Sequence, residues 1–367
     1  MSLPPPKPRS PDAPALEASA AEYAEAGARA IDLSDRPVAD SLREVMASSP
    51  RLARQSPPPL PSPGPAFSNR HWTLAIFGLL HLAGSFLVAG ETVWHVATGG
   101  LNVLAQDPPE RARLLVFNPY CVVWGLVLGI GLIFARRWAR ALTSASFLLV
   151  VLWACQWSIA VAANNADLRA GLSAFDPTPA WEYLAMLAAL GVLSYAACRA
   201  LDHRNVRLTC EAAQPQPDWT DRRSTAELLL FTIMVDFAVT WAGRATHQPV
   251  PFWGVWRRDW IAEAWGGWAA LAALAALLVM AGRTGGPLLA GLLALVIASS
   301  VAVTAARHPA HEFVELWGDW DFNRAGGLVF VATEALLVIL IARAALRSRR
   351  LRLQQSSLHP APAATDA

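Results

Sequence analysis

Charge is scarce in this chain. Of its 367 residues only 16% are Asp, Glu, Lys or Arg, against about 25% in soluble globular domains. That shortage, with 54% hydrophobic residues and a mean hydropathy of +0.33, excludes an ordinary water-soluble domain. Lysine is all but missing: Lys7 stands alone, and arginine supplies the rest of the positive charge. A net charge of +2 presents no strong field to a polyanion, so no nucleic-acid partner is expected. The four cysteines, Cys121, Cys155, Cys198 and Cys210, form no CxxC, and three of them lie inside apolar runs. They read as small core residues, which excludes a disulfide framework, a zinc ribbon and a haem-attachment motif. There is no P-loop, GxGxxG, G-x-S-x-G or HExxH either. No soluble segment is large enough to host catalysis, so energy from nucleotide hydrolysis would come from another chain.

What the chain has is eight apolar runs, at about 72–97, 115–135, 139–163, 180–199, 224–243, 260–282, 286–306 and 325–346. Each meets the roughly 20 mostly apolar residues a spanning helix needs. Helices are the expected form, because an open strand leaves its backbone groups unsatisfied in lipid. The reading is an all-α integral membrane protein, an eight-transmembrane-helix bundle with a disordered N-terminal tail. Residues 1–69 form that Pro/Ala-rich tail, too poor in large apolar residues to build a core. The first apolar run begins too late to be a secretory signal. Helices one to four occupy 70–208, a linker 209–223, helices five to eight 224–352, and a second tail 353–367.

Arginine sets the orientation. One set of connections carries Arg136, Arg137, Arg140, Arg199, Arg204, Arg207, Arg222, Arg223, Arg283 and the run Arg343 to Arg352, 14 arginines in all; the alternate connections carry 8. The positive-inside bias places both termini in the cytoplasm of a cell-membrane protein. The Arg222–Arg223 and Arg347–Arg352 clusters read as anchors on anionic lipid. In each half a short arginine-bearing turn joins the second and third helices (134–140 and 281–287), and the fourth helix runs into an arginine-rich segment. Two parallel four-helix repeats would look like this; so would any arginine-flanked bundle.

Polar stripes are where chemistry would sit. At about 100° per residue, His81, Ser85, Glu91, Thr92 and His95 share one side of the first helix. Asp236 and Thr240 share a side of the fifth, with His247 just beyond its outer end. Polar groups inside a bilayer are expensive, so both stripes should face the bundle interior. If the halves pack as repeats, the stripes oppose one another and His81 can pair with Asp236. Glu334 stands alone in the last apolar run and needs a partner or a proton. The functional reading is a site for a proton, a metal ion or a small polar ligand. The bland reading is hydrogen bonding that glues helices together. It suits an accessory or assembly subunit with membrane-protein partners as well as the lipid bilayer.

A third reading is a membrane enzyme with an outer metal site. His308, His311, Glu312 and Glu315 would lie on one face of a short helix, and such a set can bind a divalent metal ion. A surface helix with its polar side in water has the same pattern. The Trp-rich segment from Phe252 to Trp268 reads as an interfacial anchor, with a lid over an outer cavity as the alternative.

Overall fold

The computed structural model describes residues 68–106, 111–169, 180–245, 250–257, 261–308 and 324–358. The expected N-terminal tail lies outside the described residues. In chain order the elements are α1 (Ser68–Gln106), a π-helical turn (Arg113–Phe117) running into α2 (Asn118–Ile133), α3 (Arg137–Arg169), α4 (Ala180–Leu201), α5 (Arg204–Ala213), α6 (Thr225–Arg244), a hairpin of β1 (Val250–Phe252) and β2 (Val255–Arg257), α7 (Ile261–Met280), α8 (Gly285–Arg307) and α9 (Arg324–Leu358).

By length and composition, seven helices can cross a membrane: α1, the π turn with α2, α3, α4, α6, α8 and α9. The sixth apolar run forms α7, 20 residues long, of which Ala264–Met280 is the described apolar stretch. Two boundaries also differ from the sequence reading. Residues 204–213, half of which were read as linker, form α5, and α9 continues past Arg352 to Leu358. α5 is amphipathic: it buries Val206, Thr209 and Cys210 and packs Val206 and Cys210 into a cluster with Leu74, Leu132, Ala139 and Leu201.

α6 is the central helix. Over half of its span (56%) is buried, against 17% for α1 at the periphery. Its Leu230 and Met234 are fully enclosed by small and branched residues, including Ala145 of α3, Ala275 and Val279 of α7, Ala290 of α8, and Val338 of α9. In each half, successive helices pack on one another; α3 joins the halves by packing on both α6 and α9. α1 packs on α2 through glycines. A Cβ at Gly129 would lie 2.9 Å from the Gly78 carbonyl oxygen, and one at Gly125 would lie 2.2 Å from Ser85 Oγ. Gly125 and Gly129 form the small-xxx-small pattern that lets helix backbones approach in lipid.

The two short turns share one geometry. At the end of α2, Ala135 N–H donates to Leu132 O and Arg136 N–H to Gly131 O; at the end of α7, Gly282 N–H donates to Val279 O and Arg283 N–H to Leu278 O. Ala135 (φ 48°) and Gly282 (φ 69°) are both left-handed. Each is the reversal that ends a helix by pairing its last carbonyls. In both halves an arginine follows the reversing residue.

Candidate functional site

The α1 stripe faces α2, and α2 answers it group by group. Ser85 donates to the His81 carbonyl (2.8 Å) and lies against Gly125. Thr92 donates to Val88 O and accepts from buried Asn118 Nδ2 (2.8 Å). Toward the helix end, the Arg113 guanidinium pairs with the Glu91 carboxylate and reaches His95 Nε2 at 3.3 Å, while His95 and Glu91 stand 3.9 Å apart. The π turn positions Arg113 for this, since its extra residue per turn redirects the side chains at the head of α2. His81 differs from the rest: its Nε2 is buried without a hydrogen-bond partner, and its ring lies beside Phe147, 6.2 Å between centroids.

The α6 stripe also faces α2, from another side. Gly243 sits so close to Phe117 that a Cβ would come within 2.7 Å of the ring. Asp236, about two turns deeper, lies within electrostatic reach of Tyr120 and Cys121. α1 takes its packing from α2, α4 and α5, and α6 takes its packing from α3, α7, α8, α9 and the π turn. Asp236 keeps company with Tyr120 instead of His81.

Glu334 of α9 is the second acid of this region. It lies within electrostatic reach of Asp236 and of Arg244, the cation at the end of α6. Arg244 in turn lies over the Trp265 ring, 5.5 Å from its centroid. Both carboxylates are partly buried. Among the described residues neither one makes an ion pair or a hydrogen bond. Thr232 and Thr240 flank Asp236 on the same helix, and Thr232 donates to its own Leu228 carbonyl (3.0 Å).

Of the outer cluster His308, His311, Glu312 and Glu315, the described residues include His308. His308 caps α8, and its Nε2 lies 3.3 Å from the Gly254 carbonyl oxygen. His247, His311, Glu312 and Glu315 lie outside the described residues. Among the described residues no group of three or more His, Cys, Asp or Glu side chains is placed to hold a metal ion. Part of the Trp-rich segment is a hairpin docked on α8: Trp253 N–H donates to Ser300 Oγ (3.0 Å) and Gly254 N–H to Thr304 Oγ1 (2.9 Å).

At the opposite end, several arginines read as lipid anchors turn inward. Arg352 pairs with Glu227, and Arg223 donates to the Met280 carbonyl (2.8 Å), satisfying the end of α7. Arg137 pairs with Asp221 (3.0 Å) and Arg140 with Asp202 (2.8 Å). Arg223 meets open carbonyls at the end of α7 and Arg352 a buried carboxylate, whereas the partners of Arg137 and Arg140 are partly exposed.

Sequence reasoning passed over the partners on α2. Arg113, Asn118 and Tyr120 lie at the polar head of the second apolar run, and the Gly125-to-Gly129 spacing was there to be read. This chain is matched by no protein-family model, no curated protein and no solved structure.

Proposed function

We propose that this polytopic membrane protein binds or moves a proton or another small cation at Asp236 and Glu334. One observation carries the reading. Two carboxylates on neighbouring membrane-level helices lie within electrostatic reach of one another and lack an ion pair or hydrogen bond among the described residues. Like charges in a medium of low dielectric repel strongly, and a bound cation relieves that repulsion. Arg244 offsets part of the charge from one end, which leaves room for a single positive ligand. Tyr120 supplies a hydroxyl beside Asp236 for hydrogen bonding to it. In this reading α7 completes an eight-helix bundle, both termini are cytoplasmic, and the matched turns after α2 and α7 mark two parallel halves. His81, with its unpartnered ring nitrogen, is a second polar station.

Purified protein in proteoliposomes with an internal pH dye tests the proposal. An imposed potential should drive a proton or cation flux that Asp236→Asn and Glu334→Gln each abolish. An unchanged flux in both variants, or none in the parent chain under any cation, would sink it.

A second reading, an accessory subunit, is favoured by the partners of Glu91, Thr92 and His95 in the α1 stripe and by the exposed Phe86, Leu87, Val93 and Trp94 on the same helix. It expects a membrane protein to co-purify in stoichiometric amount, and loss of that partner when this apolar face is made polar.

A further inference from the structure

Between α8 and α9 runs an open surface groove of about 360 Å³ that no assigned role uses. It is lined by Pro287, Gly291, Leu292 and Leu295 of α8, and by Ile339 and Arg343 of α9. We infer that it holds an anionic phospholipid of the arginine-rich leaflet, with one acyl chain along the groove and the phosphate at Arg343.

The lining decides the chemistry. Leu292, Leu295 and Ile339 make its floor and walls apolar, which suits a hydrocarbon chain and excludes a hydrated ligand. From Pro287 to Leu295 the groove follows α8 for about 12 Å. That is close to one leaflet of a roughly 30 Å hydrocarbon core, the depth one chain occupies. Gly291 keeps it open, since a Cβ there would meet nothing within 4 Å.

The charge sits at one end only. Arg343 lies where α9 nears the arginine-rich side, level with the first turn of α8. Among the described residues it has no acidic partner, whereas Arg137, Arg140 and Arg352 have theirs. α8 begins at Gly285, and its N-cap Thr284 makes no side-chain cap bond. The positive end of the helix therefore faces the same place, and a helix N-terminus favours a phosphate. Arg283 and Arg347 are exposed within a turn of that point. A chain-shaped apolar slot ending in an unpaired guanidinium and a helix N-terminus fits an anionic phospholipid better than a neutral one.

Native mass spectrometry of the full chain in detergent, titrated with phosphatidylglycerol, phosphatidylcholine or inorganic phosphate, tests this. The parent should bind phosphatidylglycerol at least about fivefold more tightly than phosphatidylcholine, the scale of one arginine contact to anionic lipid. Arg343→Gln should remove that preference. Gly291→Leu should weaken both lipids by filling the slot. Arg207→Gln, on the α5 surface away from the groove, should change neither. Equal binding of the two lipids by the parent, a preference that survives Arg343→Gln, or an equal loss in Arg207→Gln would overturn the site. Binding of inorganic phosphate as tight as phosphatidylglycerol would overturn the acyl-chain assignment. Should Gly291→Leu fail to fold, Leu292→Trp crowds the same slot from its rim.

Discussion

Arg352, six residues from the end of α9, closes its guanidinium on the carboxylate of Glu227, 125 residues earlier in the first turn of α6. Glu227 is 3% exposed and Arg352 36%. The same carboxylate completes a capping box with Ser224, accepting its backbone N–H at 2.8 Å. One buried acid thus fastens the start of the central helix and the end of the last one.

Arg352→Gln should destabilise the protein by about 2 kcal/mol, because the loss of a charged partner leaves a buried carboxylate short of a donor. Glu227→Gln keeps a capping side chain and removes the charge, so it should cost less. In the double variant the two losses should fall well short of adding. Thermal unfolding of the four proteins in detergent measures this, and strict additivity would show that the pair does not couple.

Gly125→Ala should destabilise the α1–α2 contact by about 1–3 kcal/mol, since the new Cβ would sit 2.2 Å from Ser85 Oγ. Adding Ser85→Ala removes that atom; the next neighbours are the His81 carbonyl oxygen at 3.2 Å and the Ser85 Cβ at 3.6 Å. Most of the stability should return. No rescue in the double variant would mean that the helices do not meet at this point.

The hairpin should loosen when its acceptors go. Ser300→Ala and Thr304→Val each remove one hydrogen bond, worth about 1 kcal/mol. Hydrogen exchange at the Trp253 and Gly254 amides should speed up about fivefold in the matching variant. Gly254→Ala should do more, because Gly254 has φ +90° and a Cβ would strike Arg307 Cδ at 2.2 Å. Unchanged exchange in all three variants would detach the hairpin from α8.

Cys210 lies on α5, outside the spanning segments, and is fully buried. Burial, partly offset by Arg140 and Arg137, pushes its thiol from 9.0 up to about 11. Between these values the unfolded chain has lost the proton and the folded chain keeps it. Stability therefore falls as pH rises through that window and is unaffected by this group below it. Unfolding curves at about pH 8 and about pH 10.5 should converge more closely in Cys210→Ala than in the parent. An identical loss in both proteins would assign the alkaline weakening to other groups.

Much of this architecture was legible in advance. Apolar length alone announced the spans, because a helix is the only open-ended segment that satisfies its backbone in lipid. The arginine-bearing turns were in view as well, though their common left-handed reversal at Ala135 and Gly282 was not. Residue type does not reveal a backbone hydrogen-bond pattern when one of the two residues is alanine.

A stripe can be read from sequence as a face of its helix, but what packs against that face cannot. Periodicity fixes which side chains share a side of one helix, since it depends only on the local repeat of about 3.6 residues. It carries no information about the neighbour. His81 and Asp236 look like a natural pair by symmetry of position, yet His81 lies beside Phe147 and Asp236 within electrostatic reach of Tyr120. Glycine spacing on α2 set its approach to α1, and the π turn set where Arg113 and Phe117 point.

The sequence by itself determined that this chain crosses a membrane repeatedly, which ends of its helices gather arginine, and which faces are polar. These follow from hydropathy, charge and helical period, all of them local properties. Only the tertiary structure decided that Glu91 meets Arg113, that Glu227 meets Arg352, and that Asp236 lies within electrostatic reach of Glu334, with neither making an ion pair or hydrogen bond among the described residues. Those depend on which helices are neighbours and at what rotation, and steric fit between surfaces distant in sequence settles that.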